Sequence, residues 1–250
     1  MSHHGLPCWY ELASADQGAS QAFYGPVLGW GFQDAGMPGF AYTLAMVEGA
    51  MVAGLMTPDA PMPDFWMVYF AVTDCDAAAA QVAALGGTVH RAPEDIPGTG
   101  RFAIVADPQG AVFGLLQPDD GQQGSAFDQK RHGHGNWHEL MTPDPAAALA
   151  FYGALLGWAP GEAMDMGPMG TYQLVRAQGG DIGGLMGLPA PGVPPHWLPY
   201  FGTDGVTAAM ARITAAGGAI LHGPQDVPGG AVIAIARDPR GAHFAVVGPA

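Results

Sequence analysis

Along this chain, short stretches that alternate between apolar and polar residues are separated by stretches in which apolar residues return at a helical spacing. Residues 11–13 read as a short strand. From about Asp16, the apolar Ala19, Ala22, Phe23 and Val27 fall on one face of a helix. Pro26 lies inside that helix and is expected to kink or shorten it, because it removes a backbone donor. Strand-like stretches follow at 41–47, 51–56 and 66–72. A second helix over 76–85 is stopped by Gly86-Gly87, which can take the left-handed conformation that a helix end needs. Then come a strand near Val89, a strand over 102–106, the turn Asp107-Pro108-Gln109-Gly110 and a strand over 112–116. Asp-Pro-x-Gly suits a type I turn, with proline pre-setting the second position and glycine closing the fourth.

The second half of the chain repeats the first. Ala22 to Trp30 (AFYGPVLGW) recurs as Ala150 to Trp158 (AFYGALLGW), and Trp9, Glu11, Leu12 and Asp16 recur as Trp137, Glu139, Leu140 and Asp144. The correspondence continues through Tyr42 and Tyr172, Gly54-Leu55-Met56 and Gly184-Leu185-Met186, Trp66 and Trp197, and the two Asp-Pro turns at 107 and 238. Asp144 followed by Pro145 starts the repeated helix well, since aspartate caps free N–H groups and proline at the first position has no donor to lose. The fourth helix is expected over 207–216, stopped by Gly217-Gly218. Each half therefore splits into two units of strand, helix and two or three strands. The predicted domains are residues 6–117 and 136–248, joined by a polar, glycine-rich linker over 118–135 whose His132 and His134 read as solvated.

Composition narrows the range of partners. With 49% hydrophobic residues the chain has material for a full core, and with 8 basic against 22 acidic residues it carries a net charge of −14. That charge repels phosphate backbones and anionic membranes, so no nucleic acid and no membrane partner is expected. No leader-like segment and no long apolar run is evident, which predicts a cytoplasmic protein. Cys8 and Cys75 have no counterparts in the other half and read as two buried thiols. The histidine–glutamate pair in NWHELMTPD (136–144) is not a zinc-protease motif, because Thr142 stands where the second histidine would be.

The order of a W-x-EL strand, an FYG-x-x-LGW helix end, a second strand and helix, Leu-Gly-Gly and a closing Asp-Pro-x-Gly hairpin resembles the vicinal oxygen chelate superfamily. That superfamily includes glyoxalase I, bleomycin-resistance proteins and extradiol dioxygenases, and the likeness is nearest to its tandem two-domain glyoxalase-like branch. The resemblance implies an α+β fold of four βαβββ units, forming two glyoxalase-like domains whose curled mixed sheets surround cavities. It also implies positions for a divalent metal, which in this chain fall on Trp9, Met67 and Gly114 in the first half and on Trp137, Leu198 and Ala245 in the second. None is an imidazole, carboxylate or thiolate donor, so no metal ligand and no cofactor is predicted.

Strand parity, counted from those positions, selects the inward-facing residues. Trp9 and Glu11 share one face of the first strand, with Tyr10 and Leu12 behind. Trp137, Glu139 and Met141 share the equivalent face, with His138 behind, so His138 and Glu139 cannot hold one ion. Met67 and Tyr69 line the first cavity, and Tyr200 and His243 the second, while Trp66 and Trp197 face the helices. The predicted ligand-binding residues are thus Trp9, Met67, Tyr69, Trp137, Met141, Tyr200 and His243, with Glu11 and Glu139 as the candidate catalytic groups. Two readings of these carboxylates stay open: they hold the sheets by accepting bonds from tyrosine or backbone, or they bind a polar or cationic ligand group or act as a general base. The expected function is binding of a small aromatic or amphipathic molecule by a monomer or homodimer. The competing class is a metal-dependent lyase, isomerase or dioxygenase with ligands drawn from Glu11, Glu139 or His243.

Overall fold

Residues 3–37, 39–119, 121 and 124–250 are described by a computed structural model of the chain. Their secondary structure falls into four modules, each a strand, a helix and three strands. The first is β1 (Pro7–Ala13), α1 (Gln17–Leu28), β2 (Gly31–Asp34), β3 (Tyr42–Val47) and β4 (Ala50–Met56). The second is β5 (Phe65–Ala71), α2 (Cys75–Ala84), β6 (Thr88–Ile96), β7 (Gly100–Ala106) and β8 (Val112–Pro118). The third is β9 (Gly135–Met141), α3 (Pro145–Leu156), β10 (Ala159–Asp165), β11 (Thr171–Ala177) and β12 (Gly180–Met186), with a 3-10 turn at Gly167–Met169. The fourth is β13 (His196–Gly202), α4 (Val206–Ala215), β14 (Ala219–Asp226), β15 (Val232–Arg237) and β16 (His243–Gly248). Among the described residues no helix is long and apolar enough to cross a membrane.

The helix ends follow from local chemistry. Asp16, Asp74 and Asp144 cap α1, α2 and α3, each accepting from the N–H three residues on. Gly29 and Gly157 end α1 and α3 in the left-handed conformation, at φ 73° and 71°. The expected shortening at Pro26 does not occur, since α1 and α3 have the same 12 residues. Pro26 sits in the last turn, where a single ladder bond is lost, and the burial of Val27 and Leu28 on the same turn holds the backbone helical.

The strands form two eight-stranded mixed sheets, one per half of the sequence, in the order β2-β3-β4-β1-β5-β8-β7-β6 and its repeat β10-β11-β12-β9-β13-β16-β15-β14. This is the expected α+β architecture of four βαβββ units. The β1–β4, β5–β8, β9–β12 and β13–β16 pairs are parallel, and the hairpins are antiparallel.

Packing groups the modules differently from the sequence. One compact unit comprises residues 9–67, 124–137 and 198–250, and so joins the first module to the fourth. The other comprises the described residues among 3–8, 68–121 and 138–197, and joins the second module to the third. Within the former, α1 packs on α4; within the latter, α2 packs on α3.

Both units are built around the same buried hydrogen-bond chain. In the first–fourth unit, the hydroxyl of Tyr24, from the FYG motif, donates to the Asp238 carboxylate at 2.9 Å and accepts from the Trp66 indole N–H at 2.8 Å. In the second–third unit, Tyr152 donates to Asp107 at 3.1 Å and accepts from Trp197 at 3.1 Å. The aspartates are those of the Asp-Pro turns, and the other oxygen of each accepts two turn N–H groups. Each tyrosine thus bonds the turn of the opposite half of the sequence. Burial first, and then the aspartate's negative charge, push both tyrosine hydroxyls well above their ordinary range, so they remain protonated donors. Aromatic rings complete the cores, with Phe201 edge-on to Tyr10, Trp30 and Trp66 in one unit and Phe70 edge-on to Trp158 and Trp197 in the other.

The segment between the halves is not wholly solvated. His132 is exposed, but His134 is fully buried, with Nδ1 bonded to the Ser125 carbonyl at 2.6 Å. Reciprocal backbone bonds join Gly133 and His134 to Gly202, and the Trp30 indole donates to the Gly133 carbonyl at 2.8 Å. These anchors draw the histidine out of water, which the polar composition of the segment does not reveal. Both cysteines are free and buried, as expected. Burial raises both thiols, that of Cys75 to about 11.

Tyr152→Phe removes the proton that Asp107 receives and the oxygen that Trp197 bonds, leaving both groups buried and unsatisfied. The unfolding free energy is expected to fall by about 3 kcal/mol, read from the midpoint of chemical denaturation.

Candidate functional site

The candidate residues of the first module lie on one face of β1. Tyr10 and Leu12 are fully buried behind the strand, whereas Trp9 and Glu11 on the opposite face are half-buried. Glu11 is in register with Gly54 on the neighbouring β4. Tyr42, on β3, reaches across Gly54, where an added Cβ would lie 2.0 Å from the tyrosine oxygen. A side chain at position 54 would therefore expel the ring.

From that position the Tyr42 hydroxyl donates to Glu11 Oε2 at 2.8 Å and accepts from the Trp9 indole N–H at 2.9 Å. Burial, followed by the negative charge of Glu11, raises the Tyr42 hydroxyl well above its ordinary range, while the Trp9 bond acts the other way. Tyr42 is thus a fixed neutral donor, and Glu11 an acceptor whose Oε2 is already engaged. Phe40 stacks on Tyr42 with ring centroids 6.0 Å apart and is itself exposed, extending the aromatic surface outward. Met67, in the same compact unit, is buried.

The third module repeats this geometry in the other unit. Glu139 is in register with Gly184, and the Tyr172 ring lies over Gly184 as Tyr42 lies over Gly54. Glu139 is 6% exposed and Met141 is also buried. His138 turns to the other side, where Nδ1 bonds the Ile182 carbonyl at 2.7 Å and the ring meets Phe70 edge-on. A carbonyl only accepts, so Nδ1 carries the proton. The opposite facings of His138 and Glu139 agree with strand parity.

The remaining candidates are distributed between the units. Tyr69 belongs with the second–third unit, in register with Gly114; its ring covers that glycine, so that an added Cβ would fall 2.0 Å from ring carbon Cδ1. Trp137, Tyr200 and His243 belong with the first–fourth unit, where Tyr200 is buried and in register with the buried Ala245. His243 is exposed rather than enclosed, because it opens β16 opposite Arg237, outside the run in which β16 pairs with β13. Tyr42 and Tyr172 were not among the sequence candidates. The signal for them was present in the recurrence of a tyrosine and a Gly-Leu-Met strand at matching places in both halves, but which strands adjoin cannot be read from spacing.

These positions do not fit a divalent cation. The tyrosine ring over Gly114 covers the place from which a ligating carboxylate would project, and Trp9, Met67, Trp137, Leu198 and Ala245 supply no hard donor. Among the described residues, no three histidine, cysteine, aspartate or glutamate side chains come together in a way that could hold a metal ion.

The family model of the Glyoxalase/Bleomycin resistance protein/Dioxygenase superfamily matches residues 8–115 and 134–246. The "Putative glyoxylase CFP32" of Mycobacterium tuberculosis is 38% identical over 252 residues, covering 98% of this chain and 95% of that protein. The anthracycline biosynthesis protein DnrV of Streptomyces peucetius is 35% identical over 261 residues, covering 97% and 93%. Among solved structures, the Mn(II)-bound glyoxalase from Novosphingobium aromaticivorans superposes with a TM-score of 0.70 at 19% identity, over 99% of this chain and 83% of that one. The 2,3-dioxygenase LapB from Pseudomonas sp. KL28 gives 0.70 at 17% identity, over 99% and 93%.

Burial lowers the His138 imidazole to about 4, with the bond to Ile182 acting in the opposite sense. Its folded value lies below the ordinary histidine value, so the neutral ring contributes fully above roughly pH 6.5, and that contribution is lost as pH falls toward 4. Over that window the native chain should lose about 3 kcal/mol more stability than His138→Asn, whose amide keeps the donor to Ile182 but does not titrate. Denaturant midpoints across the pH range measure the difference.

Proposed function

The chain belongs to the glyoxalase/bleomycin resistance/dioxygenase superfamily, and on that premise we propose that it binds a small aromatic or amphipathic molecule against the Trp9–Tyr42–Glu11 face without a divalent metal. The observation that carries this reading is the chain of hydrogen bonds from Trp9 through Tyr42 to Glu11, which begins at Trp9, one of the positions that the family resemblance assigns to a metal ligand. A flat molecule would stack on the exposed Phe40 ring, which itself stacks on Tyr42, and its hydroxyl or amino group would donate to the Glu11 carboxylate. Two relatives are named as anthracycline biosynthesis proteins, and anthracyclines are planar polycyclic aromatics bearing hydroxyl groups, which fits this chemistry.

Glu11 and Tyr42 hold and orient the ligand. Glu11 takes a donor from it, Tyr42 fixes the carboxylate, and Trp9 fixes the tyrosine. The half-burial of Trp9 and Glu11 keeps that surface reachable while limiting competition from water. In the other unit Glu139 keeps the same register beside a tyrosine over a glycine, but it is buried rather than half-buried, so the first module carries the site.

Two measurements test the reading. Protein purified without chelator and analysed by plasma mass spectrometry should carry no stoichiometric manganese, iron, zinc or nickel; one equivalent of any of these overturns the metal-free reading. Tryptophan fluorescence titrated with a hydroxyanthraquinone should saturate. Both Glu11→Gln and Tyr42→Phe should weaken binding by about tenfold, the loss of one hydrogen bond to a charged group. Unchanged affinity in both variants would place the ligand elsewhere.

A further inference from the structure

A hollow of about 430 Å³ opens on the third module. It lies between the first turn of α3 and strand β11, and Asp144, Pro145, Leu149, Met169, Gln173 and Gly187 line it. The two halves of the sequence differ sharply at this place. In the first module the equivalent residues are Asp16, Gln17, Gln21, Thr43 and Thr57, and Gln17 bonds both threonines across the space. There the Gln17 amide donates to the Ala41 carbonyl at 3.0 Å and to Thr57 Oγ1 at 3.1 Å, and accepts from Thr43 at 2.7 Å. In the third module Pro145 has no amide to send across, and Gly187 has no side chain at all.

The walls that remain are mostly apolar, with the polar side chains of Thr171 and Gln173 and one anionic group, Asp144. Asp144 is held by its own backbone, because Gln109 accepts from its N–H at 2.7 Å and donates to its carbonyl at 2.8 Å. One carboxylate oxygen caps the Ala147 N–H at 3.0 Å. Gln173 is tied to the Gly161 and Leu174 carbonyls and forms a fixed wall. Over the opening stands the 3-10 turn Gly167–Met169, bounded by Gly167 and Gly170 at φ 61° and 79°. Met169, 55% exposed, is the most exposed of the large apolar side chains among the described residues. Methionine is flexible and polarizable and adapts to irregular apolar partners. No lysine, arginine or histidine lines the hollow, and the chain's net charge is −14.

From this geometry we infer that the third module carries a second small-molecule site, which takes a protonated aromatic amine. The volume lies in the range of small-molecule sites. The ring is sandwiched between Pro145 and Leu149 on one side and Met169 on the other, and the ammonium pairs with Asp144. The positive end of the α3 dipole weakens that pairing, but its half charge does not cancel a full carboxylate.

The test is a titration of the full chain, labelled at its methionine methyl groups, with naphthylmethylamine, with naphthalenemethanol and naphthoate as the neutral and anionic comparators. Magnetic resonance should show the Met169 methyl, assigned through Met169→Leu, shifting and saturating with the amine, at least about tenfold more tightly than with the alcohol. The double variant Pro145→Gln, Gly187→Thr restores the side chains of the first module. It should abolish the shift while leaving the other methionine signals in place, because an added Cβ at Gly187 meets nothing within 4 Å. Asp144→Asn keeps a helix-capping side chain and should bring the amine down to the affinity of the alcohol. A Met169 signal that does not move with amine, that still moves in the double variant, or that responds equally to naphthoate overturns the inference. Variants at Glu11 and Tyr42 should leave this signal unchanged, so failure at this site is distinguishable from failure at the other.

Discussion

A buried tyrosine hydroxyl that donates to a buried turn aspartate and accepts from a tryptophan is the constraint on which both compact units depend. It occurs twice, as Tyr24 with Asp238 and Trp66, and as Tyr152 with Asp107 and Trp197. In each case the helix comes from one half of the sequence and the turn from the other. A carboxylate taken out of water is tolerated only when its lone pairs are met, and each aspartate meets this condition with two turn N–H groups and one phenol. Because no group within the same module supplies the phenol, each unit requires the module exchange. The FYG and Asp-Pro-x-Gly motifs, far apart in the chain, are in this sense two parts of one interaction.

The same use of tyrosine against a small residue shapes the candidate site. Tyr42 over Gly54, Tyr69 over Gly114 and Tyr172 over Gly184 each occupy space that a side chain on the facing strand would need. At Gly114 the ring covers the position that the family resemblance assigns to a ligating carboxylate. At Gly54 the ring brings a hydroxyl to Glu11, which accepts its hydrogen bond. Of the two readings of the glutamates left open by the sequence, Oε2 of Glu11 follows the first, in which a tyrosine holds it, and the half-buried setting of Trp9 and Glu11 leaves room for the second.

The repeats also diverge where they are not constrained by the shared core. The first module closes the space beside its helix start with glutamine and threonine side chains bonded to one another, whereas the third leaves a hollow beside Pro145 and Gly187. Proline at the first position of α3 costs the helix nothing. A change neutral for the local fold has thus altered the surface beside it.

Much of the architecture was legible in the residues alone. Alternation located the strands around Glu11, Ala45, Leu55, Val68, Ile104 and Leu115, and the aspartate starts and glycine stops located the helices, because these depend on spacing and capping within a few residues. Parity separated Glu139 from His138, and Trp66 from Met67, since a strand alternates its faces whatever surrounds it. Three features depended on the tertiary structure. Pro26 left α1 at full length because the burial of Val27 and Leu28 outweighed the missing bond, and His134 was drawn into the core by anchors from Trp30 and Gly202. The pairing of Tyr42 with Glu11 and of Tyr24 with Asp238 joins residues from different strands or different halves. The sequence by itself determined the elements, the repeat and which side chains share a face, because those follow from local periodicity; only the tertiary structure decided which elements adjoin and which buried polar groups bond to one another, because those contacts form between residues remote in the chain.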